Sequence, residues 1–133
     1  MSGETNIGKL IKEMTPQLNA GEYVFCSLKD LSSIDRNDTI CEFKEAEGTT
    51  IIIDKRKADE LNLSYDFVSA WISLLIHSSL EAVGLTAIFS TALAKNNISC
   101  NVIAGYYHDH IFVDTEDANK AIEVLLKLSE NYK

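Results

Sequence analysis

The first apolar positions, Ile7, Leu10, Ile11 and Met14, recur at helical spacing and predict a short amphipathic helix ending near Thr15 and Pro16. Asn19-Ala20-Gly21 is a turn signal, and Tyr23-Val24-Phe25-Cys26 then predicts a strand. Residues 29–38 are polar and rich in Asp, Ser and Asn, as a loop would be. Ile40-Cys41-Glu42-Phe43 and Thr49-Thr50-Ile51-Ile52-Ile53 predict two further strands. Glu47-Gly48 between them supplies a tight turn, so the pair forms a hairpin. Asp54 is placed to cap a short helix running through Lys57, Ala58 and Leu61.

The second half has the clearer pattern. Residues 68–77 predict a strand, and Leu85, Ile88, Phe89, Ala92 and Leu93 form one stripe of a helix closed by Asn96-Asn97. Residues 98–104 and 111–113 predict strands joined by a turn at 105–109. Asp114 or Thr115 caps a last helix, with Glu116 and Asp117 in its first turn, where the helix dipole favours them. Ala118, Ala121, Ile122, Leu125 and Leu128 make its inner stripe. Strand, helix, strand, strand, helix lacks one strand of a ferredoxin-like βαββαβ unit. That edge strand comes from the first half, comes from another subunit, or does not exist. The expected fold is therefore α/β (α+β): a ferredoxin-like sandwich of two similar halves, residues 1–65 and 66–133, with an antiparallel sheet and helices on one face. The first half lacks the long first helix of a full unit.

Composition narrows the function classes. The chain has 133 residues and a formal net charge of -8, with 46% apolar residues and a single proline. A chain this acidic repels phosphate backbones and anionic lipid, and no basic stripe offsets that, so nucleic acid and membrane surfaces are not expected partners. No apolar run approaches the ~18 residues of a membrane span, and the first residues lack the pattern of a secretory signal. Cys26, Cys41 and Cys100 are odd in number, far apart and inside strand-like runs. They are expected to be reduced thiols, which places the chain in the cytoplasm.

Candidate chemistry collects at one end of the second half. In the βαββα order, the turn after the first strand and the turn between the second and third lie at the same end of the sheet. His77, Ser78, Ser79 and Glu81 meet there with Tyr106, Tyr107, His108, Asp109 and His110. His77 is expected to lie near His110. The helix onset near Val83-Gly84-Leu85-Thr86 offers free backbone N–H groups and the positive end of a dipole, which suit a carboxylate. Ser78-Ser79-Leu80-Glu81 also matches a capping box, so the helix starts either at Ser79 or near Gly84. His77, His108 and His110 admit a metal-binding reading, but the spacing bends through a turn and no cysteine joins them. No nucleophile elbow or phosphate loop is present, so catalysis and a cofactor are not expected. Trp71 is expected in the core or an interface.

Three runs carry a resemblance to a known family. Residues 76–87, Ile-His-Ser-Ser-Leu-Glu-Ala-Val-Gly-Leu-Thr-Ala, and residues 98–113, Ile-Ser-Cys-Asn-Val-Ile-Ala-Gly-Tyr-Tyr-His-Asp-His-Ile-Phe-Val, resemble a small bacterial ACT-domain family. Residues 45–50, Glu-Ala-Glu-Gly-Thr-Thr, resemble it as well. The resemblance implies a tandem of ACT-like halves similar in layout to the regulatory region of aspartate kinases. It also implies a non-enzymatic, stand-alone regulatory module that binds an amino acid or similar small carboxylate. The ligand would lie along residues 77–86, with Gly84 matching the glycine that lets it approach the backbone. Asn101 and the His108 to His110 turn are added from the geometry above, and Asp109, Glu81 or His108 would read the amine or side chain. Gly84→Val is expected to abolish binding without unfolding the chain. The alternative is a ligand-free module whose exposed strand edges form a homodimer or dock a partner.

Overall fold

The computed structural model describes residues 6–76 and 82–132. Two compact units emerge from the packing. One comprises residues 20–69, and the other combines residues 1–19 with 70–133.

In the unit of residues 20–69, strand β2 (Tyr23–Leu28) pairs antiparallel with β4 (Thr49–Asp54), and β4 pairs with β3 (Thr39–Lys44). Val68 and Ser69, the first residues of β5 (Val68–Leu75), pair with Val24 and Tyr23 on the other side of β2. The hairpin at Glu47-Gly48 forms as expected, with Glu45 and Gly48 exchanging backbone hydrogen bonds. Helix α2 (Lys55–Glu60) starts where Asp54 was expected to cap it, and the Asp54 carboxylate accepts from the Arg56 N–H. No long helix joins β2 to β3. Residues 29–38 cross instead as a loop ending in one turn of 3-10 helix, and Ile34 fills the space by burying itself against Val24, Cys26, Ile51, Ile53 and Ala58.

The other unit contains helix α1 (Ile7–Glu13), β1 (Thr15–Leu18), residues 70–75 of β5, helix α3 (Leu85–Lys95), β6 (Asn101–Ala104), β7 (Asp109–Asp114) and helix α4 (Ala118–Asn131). Its hydrogen-bonded order is β1-β5-β7-β6. The strand missing from the second half is thus supplied by the chain's own first residues. The helical period ends at Glu13, and Thr15 to Leu18 turn into an edge strand in register with Leu75 to Ile72. Pro16 is tolerated there because β1 is bonded on one side only. One core joins the elements: Leu10, Ile11 and Met14 meet Ile72 and Leu74 of β5, Phe89 and Leu93 of α3, Ile111 and Val113 of β7, and Leu125 of α4. The strand expected from residue 98 starts at Asn101, because Ile98 is spent closing α3, its N–H bonded to the Leu93 carbonyl. Asn97, at φ 59°, makes that left-handed stop, as the Asn-Asn signal implied. Asp114 caps a 3-10 turn through Asp117 before α4 begins.

Candidate functional site

The end of β5 and the turn between β6 and β7 lie side by side. The His108 imidazole Nδ1 sits 3.1 Å from the Ile76 carbonyl oxygen. Gly105 and His108 close the turn, the Gly105 N–H donating to the His108 carbonyl at 2.9 Å, and Tyr106 and Tyr107 project from its tip, both exposed. A Cβ on Gly105 would meet the His108 oxygen at 2.7 Å, so this turn requires glycine for close approach. His77, Ser78, Ser79 and Glu81 lie outside the described residues, and with them the capping box and the expected nearness of His77 to His110.

Helix α3 begins at Leu85, with Gly84 as its N-cap at φ 92°. Gly84 therefore stands before the helix rather than inside it. It gives the terminus no side-chain cap, and a Cβ built on it would meet no heavy atom of the described residues within 4 Å. Val83 is 85% exposed and Thr86 is exposed, whereas the Leu85 side chain turns into the core, leaving its backbone to the helix end. The positive φ modifies the expectation for Gly84→Val, since a β-branched side chain strains that backbone by roughly 1–2 kcal/mol whether or not a ligand binds there.

Strand alternation separates two of the expected site residues. Ile111 and Val113 belong to the core under the helices, so Asp109 shares their face, at the start of β7. It is 8% exposed, and burial pushes its carboxyl pKa up, with the imidazoles of His110 and His108 pulling the other way. His110 points to the opposite face. There the Trp71 indole N–H donates to His110 Nδ1 at 3.0 Å, and the Ser73 hydroxyl lies 3.0 Å from the same nitrogen. Asn19 closes the network, its Nδ2 donating to Ser73 Oγ at 3.0 Å and to the Trp71 carbonyl at 3.2 Å. An indole N–H only donates, so Nδ1 carries no proton and neutral His110 is the Nε2–H tautomer. Burial lowers the His110 pKa, His108 lowers it further, and Asp109 opposes both.

Asn101 opens β6 opposite Phe112, whose carbonyl accepts from its Nδ2 at 3.2 Å. Three residues of strand, about 10 Å, separate it from Ala104 and the turn. Among the described residues no group of three or more His, Cys, Asp and Glu is arranged to hold a metal ion. Burial raises the pKa values of Cys26 and Cys100, Cys100 to about 11, which disfavours the thiolate at both. No helix among the described residues is long and apolar enough to cross a membrane. Ser73 and Asn19 were not foreseen in this polar cluster. Ser73 carried a signal as one of two hydroxyls, with Ser69, in an apolar-rich strand run, while Asn19 read only as a turn residue.

Comparison with known proteins agrees with this architecture. Two ACT-domain sequence profiles match, one over residues 2–70 and the other over residues 67–127. A crystal structure from Vibrio cholerae, described as a protein of unknown function and possible transport protein, is 44% identical, with a TM-score of 0.83 over 92% of this chain and 95% of that one. The ligand-free regulatory subunit of aspartate kinase from Thermus thermophilus shares the fold at 11% identity and a TM-score of 0.58, over 85% of this chain and 95% of that one. A protein from Agrobacterium tumefaciens does so at 15% identity and a TM-score of 0.66, over 87% and 89% of the two chains. Comparison with curated proteins finds no match. The chain belongs to the ACT-domain family and carries two ACT domains in tandem.

Proposed function

We propose that the protein is a non-enzymatic ACT regulatory module that binds an amino acid or a similar small carboxylate at the N-terminus of α3. The observation that carries this reading is Gly84. Its left-handed backbone starts the helix without a side-chain cap, and among the described residues nothing stands within 4 Å of where a Cβ would be. Backbone N–H groups of the first turn, starting at Leu85, suit a carboxylate. The His108–Ile76 contact brings the β6–β7 turn to the end of β5. Asp109 at the start of β7 is the acidic group for the ligand's amine, since a bound cation offsets the burial that disfavours its charge.

The test is a thermal-shift and calorimetric screen against the twenty amino acids, repeated on Gly84→Asp and Gly84→Asn. Asp and Asn both tolerate a left-handed backbone and differ in charge alone. A ligand at about 100 times its dissociation constant adds roughly 2.7 kcal/mol of stability. The expected result is one amino acid, or a small related set, that stabilises the wild type and binds Gly84→Asp at least about tenfold more weakly than Gly84→Asn. Equal binding by the two variants would place the ligand elsewhere. No stabilisation by any amino acid would remove the reading.

A further inference from the structure

On the helical side of the same unit, α3 and α4 leave a groove of about 680 Å³ between them. Ile88 and Ala92 of α3 and Val124 and Leu128 of α4 form its apolar floor, each partly buried. Lys95, Lys120 and Lys127 stand along its rim, and among the described residues Glu123 is the single acidic one lining it. The Glu123 carboxylate is held by Lys127 at 2.9 Å, and Lys120 Nζ donates to the Asn96 carbonyl at 2.9 Å. α3 itself contains no acidic residue. The groove is thus a net positive strip on a chain whose formal charge is -8.

We infer that this groove docks an acidic amphipathic helix of another protein. A slot between two packed helices, with an apolar floor and charged margins, accepts a third helix that lays its own apolar stripe between them. The rim sets the sign of the partner: carboxylates flanking that stripe would meet Lys95, Lys120 and Lys127, and a basic helix would meet the same charges repulsively. The rim also argues against a second copy of this chain. A two-fold pairing through this face would set two net-positive strips against each other. The rest of the chain carries an excess of acidic residues, which disfavours an acidic helix there, and screening over about 8 Å at physiological salt confines each effect to its own neighbourhood. The inference is independent of the proposed ligand, although α3 serves both, with its first turn at the ligand site and its flank as one wall of the groove.

The test uses three synthetic ~18-residue helical peptides sharing one leucine stripe and carrying glutamate, glutamine or lysine on its flanks. They are titrated to about 1 mM into isotope-labelled protein while the methyl resonances of Ile88, Val124 and Leu128 are followed by NMR. The glutamate peptide should shift these methyls and bind at least about tenfold more tightly than the lysine peptide. The double variant Lys95→Glu/Lys127→Glu, both at exposed positions, should reverse that order while circular dichroism stays unchanged. Equal affinities, shifts away from the groove, or no binding at the highest concentration would overturn the inference. So would methyl shifts that depend on protein concentration without peptide, which mean a second copy. Displacement of the glutamate peptide by phosphatidylglycerol vesicles, which means a lipid surface, would overturn it equally.

Discussion

The indole N–H of Trp71 donates to Nδ1 of His110 at 3.0 Å, and this contact fixes which form of the histidine the fold accepts. A proton on Nδ1 would turn two donors toward each other. The pKa of His110 also lies below its ordinary 6.5, with burial as the largest cause and His108 adding to it. The unfolded chain then binds the proton more readily than the folded one, so the stability from this contact is present above pH ~6.5 and lost as pH falls through the lowered folded pKa. Tryptophan fluorescence and the Trp71 indole N–H resonance should titrate together in that acidic window. Trp71→Phe, which removes the indole donor, should move the His110 midpoint upward.

Asp109 has the opposite sign. Burial raises its pKa, so the folded state binds its proton more readily than the unfolded state does. The stabilising contribution is present below the unfolded value of about 3.9 and is lost as pH rises through the raised folded value. Asp109→Asn should therefore leave stability at neutral pH equal or higher, and flatten its pH dependence across that window. In urea titrations, a variant clearly less stable at pH 7 would show that the carboxylate is held by favourable contacts instead. Amino-acid binding, if Asp109 reads the amine, should fall in the same variant.

Removing residues 1–19 should unfold the remainder of their unit. Leu10 and Met14 are each 3% exposed and Ile11 is fully buried, all against β5 and its helices. Burying each such side chain is worth roughly 1.5–3 kcal/mol. Losing three of them, with the β1 ladder, removes a large part of the 5–15 kcal/mol typical of a domain. Near-UV circular dichroism of residues 66–133 alone should show no cooperative transition, and adding residues 6–19 in trans should restore one in part. A cooperatively folded fragment would mean that β1 is dispensable.

Gly105→Ala should be costly for a steric reason. The new methyl would stand 2.7 Å from the His108 carbonyl, backbone that moves only by opening the turn. A loss of about 1–3 kcal/mol in denaturant unfolding is expected, in the range of other overpacked sites. His108 and Asp109 amides should shift in NMR spectra, since they follow directly on the turn.

Much of the secondary structure was legible along the chain because it rests on local rules. Asp54 and Asp114 cap where short polar residues precede helical periods, Asn97 stops α3, and the Glu47-Gly48 hairpin joins two strand-forming runs. Thr15 to Leu18 were not legible as a strand. Four residues containing a proline have no β signature of their own, and only the unpaired edge of β5 makes them one. The onset of α3 was equally undecidable from the sequence, because Ser79 and Gly84 both satisfy local rules for starting a helix, and it falls at Leu85.

The candidate site divides along the same line. The sequence by itself determined most element types, which follow from periodicity and caps, the ACT resemblance, which follows from motifs, and the nearness of the β6–β7 turn to the end of β5, where His108 meets Ile76. Only tertiary structure decided that Asp109 and His110 face opposite sides of β7, that Ser73 and Asn19 join Trp71 and His110 in one network, and that the first residues complete the second domain. The physical reason is sequence separation. Asn19 meets Ser73 across 54 residues. Hydrogen bonds and burial over such distances reward pairings that no local window of the chain contains.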